Sequence, residues 1–189
     1  MGSDSSRSLD KEEIEKIAKN TGFHSKEIRG LHARFQSYDI DKVGYLTKDD
    51  LHLPELRVNP LCDRMIDVLI DDHGSDGKLY FSQFCQVFAT FRRGKCSHEN
   101  DTNSKKNKLK FLFNLYDRNQ DGRIDKDELL NVVRMLVGKN LEEDLLNRLV
   151  ESTIADFTKS DEKLITFDHF CEALGKIDFD ETMNMKFAT

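Results

Sequence analysis

Apolar residues fall at helical spacing on both sides of one short polar stretch. In "KLKFLFNLY", Leu109, Leu112, Phe113 and Tyr116 stand at i, i+3, i+4 and i+7 and share one helical face. Beyond it, Leu129, Val132, Val133, Leu136 and Val137 repeat the same spacing. Between the two runs lies "DRNQDGRIDKDE", polar throughout except for Ile124. The pattern predicts a helix, a twelve-residue loop and a second helix.

The same layout recurs at "DIDKVGYLTKDDL" from Asp39, "DHGSDGKLYFSQF" from Asp72 and "TKSDEKLITFDHF" from Thr158. The eighth residue of each stretch is aliphatic: Leu46, Leu79, Ile124 and Ile165. The thirteenth is also apolar: Leu51, Phe84, Leu129 and Phe170. The four starts lie 33, 45 and 41 residues apart, so the long middle gap separates two pairs. A single such unit leaves an apolar face uncovered and needs a neighbour. The expected fold class is therefore all-α: four helix-loop-helix units in two lobes, with a short antiparallel bridge between paired loops. Ile165 should meet Ile124, and Leu79 should meet Leu46. The expected domains are an N-terminal lobe within residues 1–91, a linker at 92–107, a C-terminal lobe at 108–176 and a tail at 177–189.

Chemistry separates the four loops. The third matches the EF-hand calcium pattern, in which oxygen ligands come from positions 1, 3, 5, 7, 9 and 12 around a glycine at position 6. Here those ligands are Asp117, Asn119, Asp121, the backbone carbonyl of Arg123, Asp125 and Glu128, with Gly122 at the turn. One bound Ca2+ is expected there. The first loop has Val43 at position 5 and Asp50 at position 12, one methylene short of a glutamate, and is read against metal binding. The second has Gly74 and Gln83 at positions 3 and 12, and the fourth has Lys163 in place of the glycine and His169 at position 12. Neither is expected to bind. They are read as loops kept for the bridge, with His169 at the surface.

Composition narrows the function. A net charge of −6 offers no basic field for nucleic acid. No apolar run reaches the ~20 residues of a membrane span, and no secretory stretch opens the chain. The four cysteines, Cys62, Cys85, Cys96 and Cys171, form no C-x-x-C pair, which argues against a zinc or redox site. No P-loop, G-x-S-x-G, H-E-x-x-H or G-x-G-x-x-G is present, so an enzyme is not expected.

The ends and the linker carry further candidates. Gly2 with Ser6 fits the N-myristoylation pattern, although an expression leader can also open M-G-S. A single myristoyl chain gives only marginal, reversible membrane binding. The basic stretch from Arg92 to Lys110 is read first as a solvated linker, and alternatively as an acidic-lipid or phosphate segment through Ser97 and Ser104. In the tail, Ile177, Phe179, Met183, Met185 and Phe187 suit either core edge or a groove cover. Phe84, Phe88, Phe91, Leu112, Leu136 and Phe170 are the candidates for a partner-binding groove, with lobe core as the competing reading for each.

The chain resembles the calcineurin B-like EF-hand proteins. The segment "LPELRVNPLCDRMID" looks like the one they carry between their first two EF-hands, and "KLKFLFNLYDRNQDGRIDKDELLNVVRMLVGKNL" is similar to their third. Within that group, "TGFHSKEIRGLHARF", "FRR" with a long polar insert, and "IDFDETMNMKF" most resemble the calcineurin B homologous proteins. That resemblance implies a myristoylated, calcium-binding cofactor of a plasma-membrane Na+/H+ exchanger, holding an amphipathic helix of the exchanger in a hydrophobic groove. It would be cytoplasmic, peripheral at the inner face of the plasma membrane. The alternative is the regulatory B subunit of the phosphatase calcineurin, with the groove filled by a helix of the catalytic subunit. The fourth loop departs from the family's competent loops, which makes one calcium a brace as readily as a switch.

Overall fold

The computed structural model describes residues 9–53, 57–92, 102–138, 141–159 and 162–175. Gly2, most of the linker (93–101) and the tail from residue 176 onward lie outside the described residues, with the expectations placed on them.

The chain opens with α1 (Lys11–Thr21), capped by Asp10, whose carboxylate accepts from the N–H of Glu13 at 2.7 Å. Gly22 ends it at φ +70°, a left-handed conformation; an added Cβ there would meet Arg92 Nη1 at 2.9 Å. α2 (Ser25–Tyr38) follows at once, its start fixed by Glu27, which accepts from the N–H of His24 at 2.7 Å. The stretch from Thr21 to Phe35 thus spans the end of α1, a glycine turn and most of α2.

The first loop runs from α2 through β1 (Tyr45–Leu46) into a 3₁₀ turn at Asp49–Leu51. That turn stands where a full exiting helix was expected. The second unit is α3 (Cys62–His73), β2 (Leu79–Tyr80) and α4 (Phe81–Thr90). The third is α5 (Lys105–Tyr116), β3 (Arg123–Ile124) and α6 (Lys126–Val137). The fourth is α7 (Glu143–Thr158), β4 (Ile165–Thr166) and α8 (Phe167–Leu174). The fold is all-α apart from the two bridges.

Those bridges pair as the eighth-position pattern predicts. Leu46 faces Leu79 in β1–β2, and Ile124 faces Ile165 in β3–β4, both antiparallel. All four side chains are buried. Burying one such aliphatic side chain contributes roughly 1.5–3 kcal/mol, and it does so whether or not the loop binds a metal.

Around the first bridge, Ile28, Leu31, Phe35, Ile66, Ile70 and Phe84 close the first core, with Phe35 edge-on to Phe81 and Phe84, each at 5.5 Å. Around the second, Phe113 stands edge-on to Phe167 and Phe170, each at 5.5 Å, among Leu109, Leu129, Val150 and Ile154.

A third apolar cluster joins the lobes. Val68 of α3, Val87 of α4 and Phe91 meet Phe111 and Leu115 of α5. Beside it, the buried Arg64 of α3 donates from Nε to the carbonyl of Leu115 at 3.1 Å and from Nη2 to that of Asn114 at 3.2 Å. These carbonyls belong to the last turn of α5, where the helix lacks internal donors and a cation is favoured. Arg64 therefore fixes, from the first lobe, the helix that leads into the third loop.

Candidate metal centre

Asp117 follows α5 directly, and its carboxylate organises the third loop. One oxygen accepts from the N–H of Asp121 at 3.1 Å, the other from Gly122 at 3.0 Å. Gln120 and Gly122 both adopt positive φ, +57° and +83°, so the chain doubles back over Asp117. A Cβ on Gly122 would meet nothing within 4 Å; the need for glycine is in its backbone angles alone. Asn119 Oδ1 accepts from the N–H of Asp121 at 2.9 Å, and Asp121 Oδ1 accepts from that of Arg123 at 2.9 Å.

Glu128 closes the loop from α6. Its Oε1 accepts from the N–H groups of Arg118 at 2.8 Å and Asn119 at 3.1 Å, across the loop's mouth. Its Oε2 accepts from the N–H of Asp125 at 3.1 Å, and Asp125 in return accepts from the N–H of Glu128 at 2.8 Å. This reciprocal pair is a capping box, so position 12 starts the helix as well as reaching the loop. Lys126, the nearest cation in sequence, turns away to Glu151 at 2.7 Å. Among the described residues, no ion pair engages Asp117, Asp121, Asp125 or Glu128.

The donor set suits calcium: carboxylate, amide and backbone oxygens, with no nitrogen or sulfur among them. In this conformation the carboxylates rest on the loop's own N–H groups rather than converging on one point. A calcium ion there would be held by side-chain oxygens of Asp117, Asn119, Asp121, Asp125 and Glu128 and by the carbonyl of Arg123, with the Glu128 carboxylate able to offer two oxygens. The six residues expected as ligands all lie in or beside this one loop, with Arg123 held by its pairing to Thr166.

The other three loops depart from this pattern, each in its own way. In the first, Asp39 accepts from Val43 at 2.9 Å and Gly44 at 2.8 Å, with positive φ at Lys42 and Gly44. That is the Asp117 scaffold repeated at the same offsets. Two ligand positions differ: Val43 has no side-chain oxygen, and Asp50, one methylene shorter than Glu128, accepts through Oδ2 from the N–H and hydroxyl of Thr47, both at 2.7 Å.

The second loop has a different backbone. α3 continues through Asp72, and positive φ falls on Asp76 and Gly77 instead. Ser75 and Lys78 exchange backbone hydrogen bonds at 2.8 and 3.0 Å, making a tight two-residue turn of the kind Asp-Gly favours. Gln83 caps α4, accepting from the N–H of Tyr80 at 2.9 Å and donating to the hydroxyl of Ser75 at 2.8 Å. No twelve-residue cradle remains. Asp72 turns to the other lobe, accepting from Asn114 and, at 3.0 Å, from Gln120.

In the fourth loop, the Thr158 hydroxyl donates to the carbonyl of Glu162 at 3.4 Å. His169 is half-buried rather than at the surface. It stands in the capping position that Glu128 fills in the third unit: its Nδ1 accepts from the N–H of Thr166 at 3.4 Å, and its own N–H donates to the Thr166 hydroxyl at 3.3 Å. The cap survives and the ligand does not.

The groove candidates divide. Phe84 and Phe170 are buried in the lobe cores and Phe91 in the cluster between lobes, so none lines an open surface in this conformation. Phe88 and Leu112 are half-buried against the cores. Leu136 is 50% exposed, and Met135, Leu145 and Leu149 nearby on α6 and α7 are 42%, 48% and 44% exposed. Sequence periodicity does not single out those last three, though Met135 and Leu136 sit one turn beyond the buried Val132. Ser104 is buried as the N-cap of α5, accepting from Asn107, which takes it out of reach of a kinase here.

An EF-hand domain pair profile matches residues 106–175. A calcineurin B subunit from Naegleria gruberi is 36% identical over 98% of this chain and 99% of its own. A type 1 calcineurin B subunit from Dictyostelium discoideum is 37% identical over 88% of each. The chain belongs to the calcineurin B-like EF-hand family. Of its four loops the third keeps the full calcium-ligand pattern, and the two-lobe arrangement accounts for the retention of the others.

Proposed function

We propose that this chain is the calcium-binding regulatory subunit of a calcineurin-type protein phosphatase and is itself not catalytic. The observation that carries the proposal is its end-to-end similarity to two proteins named as calcineurin B subunits. The exchanger-cofactor expectation leans on the linker and the tail, most of which lie outside the described residues. The relatives favour the phosphatase reading instead.

In this role the third loop holds one Ca2+ and stiffens α5 and α6. The apolar side chains of Met135, Leu136, Leu145 and Leu149 then receive the apolar face of an amphipathic helix from the catalytic subunit. Gly2 carries a myristoyl group, and the protein works in the cytoplasm, at the inner membrane face when its partner is there.

The deciding experiment is calorimetric titration of the calcium-loaded full chain with two synthetic helices. One is the regulatory-subunit-binding helix of a calcineurin catalytic subunit, the other the juxtamembrane helix of a Na+/H+ exchanger. The expected result is tight binding of the first alone. Tight binding of the second alone overturns the phosphatase assignment and restores the transporter. Incorporation of labelled myristate into the chain, lost in Gly2→Ala, checks the lipid.

A further inference from the structure

Away from the calcium loop, one cluster among the described residues brings together the three donor types of a transition-metal site. A ring nitrogen of His52, the thiol of Cys62 and a carboxylate oxygen of Asp63 all lie within 4.8 Å of one another. They come from separate elements: His52 ends the 3₁₀ turn that follows the first loop, and Cys62 and Asp63 begin α3.

The backbone beneath them is already set. Asn59 accepts from the N–H of Leu61 through Oδ1 at 2.9 Å and from the N–H of Cys62 through its carbonyl at 3.0 Å, with Pro60 between. His52 is held by its N–H to the carbonyl of Asp49 at 3.2 Å. The side chains border a cleft of about 400 Å3, shared with Arg57, Asn59 and Pro60. His52 Nδ1 and Asp63 Oδ1 stand 3.6 Å apart, beyond hydrogen-bond distance but close enough to share an ion.

We propose that His52, Cys62 and Asp63 bind a zinc-type divalent cation, with water at a fourth position. Imidazole nitrogen, thiolate and carboxylate are the ligands zinc takes, whereas calcium accepts oxygens only. The site is therefore separate in chemistry as well as in place from the Asp117 loop. Burial and the neighbouring Asp63 push the Cys62 thiol up, so it is protonated before the metal arrives. On binding, the S–H bond breaks, the sulfur–metal bond forms and one proton passes to solvent. Thiolate and carboxylate then balance the two positive charges, and Arg57 at the rim faces a neutral centre. The ion ties the turn that closes the first loop to the start of α3, a staple where that unit lacks its exiting helix.

The test uses the calcium-saturated full chain and cobalt as a spectroscopic stand-in. The expected result is a thiolate-to-cobalt absorption band that saturates at about one equivalent and is displaced by zinc. The band disappears in Cys62→Ser, and cobalt affinity falls by about tenfold or more in His52→Ala. It persists in Glu128→Gln, whose calcium loop is broken. Absence of the band in the wild-type chain overturns the proposal, as does a band that survives Cys62→Ser. Should Cys62→Ser fail to fold, His52→Ala decides alone: an unchanged affinity overturns the site.

Discussion

Asp72, the first residue of the second loop, accepts a hydrogen bond at 3.0 Å from Gln120, inside the loop that keeps the full calcium-ligand pattern. Gln120 is one of the four described non-glycine residues at positive φ, so its backbone is held in a conformation that L-residues visit rarely. A partner fixed on the other lobe steadies it. Asp72 also places a negative charge beside the site.

Asp72→Asn is accordingly expected to weaken calcium binding about two- to fivefold, the scale of one hydrogen bond and a nearby charge. Asp76→Asn removes the same charge from the exposed tip of the same loop and should change the affinity less. Calorimetry on both variants separates contact from charge. Equal effects would reduce Asp72 to a source of field.

Glu128→Gln should weaken calcium by about a hundredfold or more, near 2.8 kcal/mol at about 1.4 kcal/mol per decade. The variant keeps one oxygen for the Asp125 N–H, so α6 stays capped, but it loses the acceptor for the N–H groups of Arg118 and Asn119, and metal-free stability should fall by about 1–2 kcal/mol. Calcium titration and urea unfolding read the two effects independently. A tight site surviving the change would place the ion elsewhere.

His169→Glu should leave the number of calcium sites unchanged. Glutamate restores position 12 and the cap on α8, but Lys163 still stands at the glycine position, and the Thr158 hydroxyl is committed to the carbonyl of Glu162. A second calcium per chain in equilibrium dialysis would show that position 12 alone controls the site.

Acid should loosen the junction between lobes. His73 stacks on Phe111 across it, with ring centroids 6.3 Å apart, and burial holds its pKa below 6.5, against the raising effect of Asp72. The native state thus keeps the imidazole neutral, whereas the unfolded chain takes up a proton below that value. This stability is present above pH 6.5, the unfolded value, and is lost as pH falls from there through the lowered native value. His32, edge-on to Phe81 at 4.9 Å and lowered by burial despite Glu13, acts in the same direction. Metal-free urea midpoints at about pH 7.5 and about pH 5.5 should fall for the wild type and fall less for His73→Gln. An equal fall in both would assign the effect to other groups.

What the sequence reveals follows from distance along the chain. The calcium ligands sit at fixed offsets within twelve residues, and the eighth-position aliphatics face one another because paired loops share one register. Both are local rules. The tight turn of the second loop is written in Ser75-Asp76-Gly77-Lys78, but a twelve-residue template laid over it hides the signal. His169 looks like a failed ligand because its other task, capping α8, is shared by glutamate in the third unit. Asp72 meeting Gln120 depends on how two lobes dock and has no local mark. Arg64 leaves only a faint one, a cation one turn before Val68 on a second buried face of α3, opposite the face that carries Cys62, Ile66 and Ile70.

That cation supports the last prediction. Arg64 is buried, and its guanidinium satisfies the carbonyls of Asn114 and Leu115 just before the loop opens at Asp117. Arg64→Ala leaves those carbonyls without the donor and opens space beside Val68 and Leu115. The expected loss is about 2–4 kcal/mol, from buried charged hydrogen bonds and lost packing together. Arg64→Lys should recover less than half of it, because one ammonium cannot span two carbonyls as the planar fork does. Calcium affinity should fall along with stability in Arg64→Ala, since α5 delivers Asp117 to the site. A destabilised chain whose calcium affinity is untouched would mean that the third loop is organised entirely by its own lobe, and that the first lobe reaches it only through Asp72.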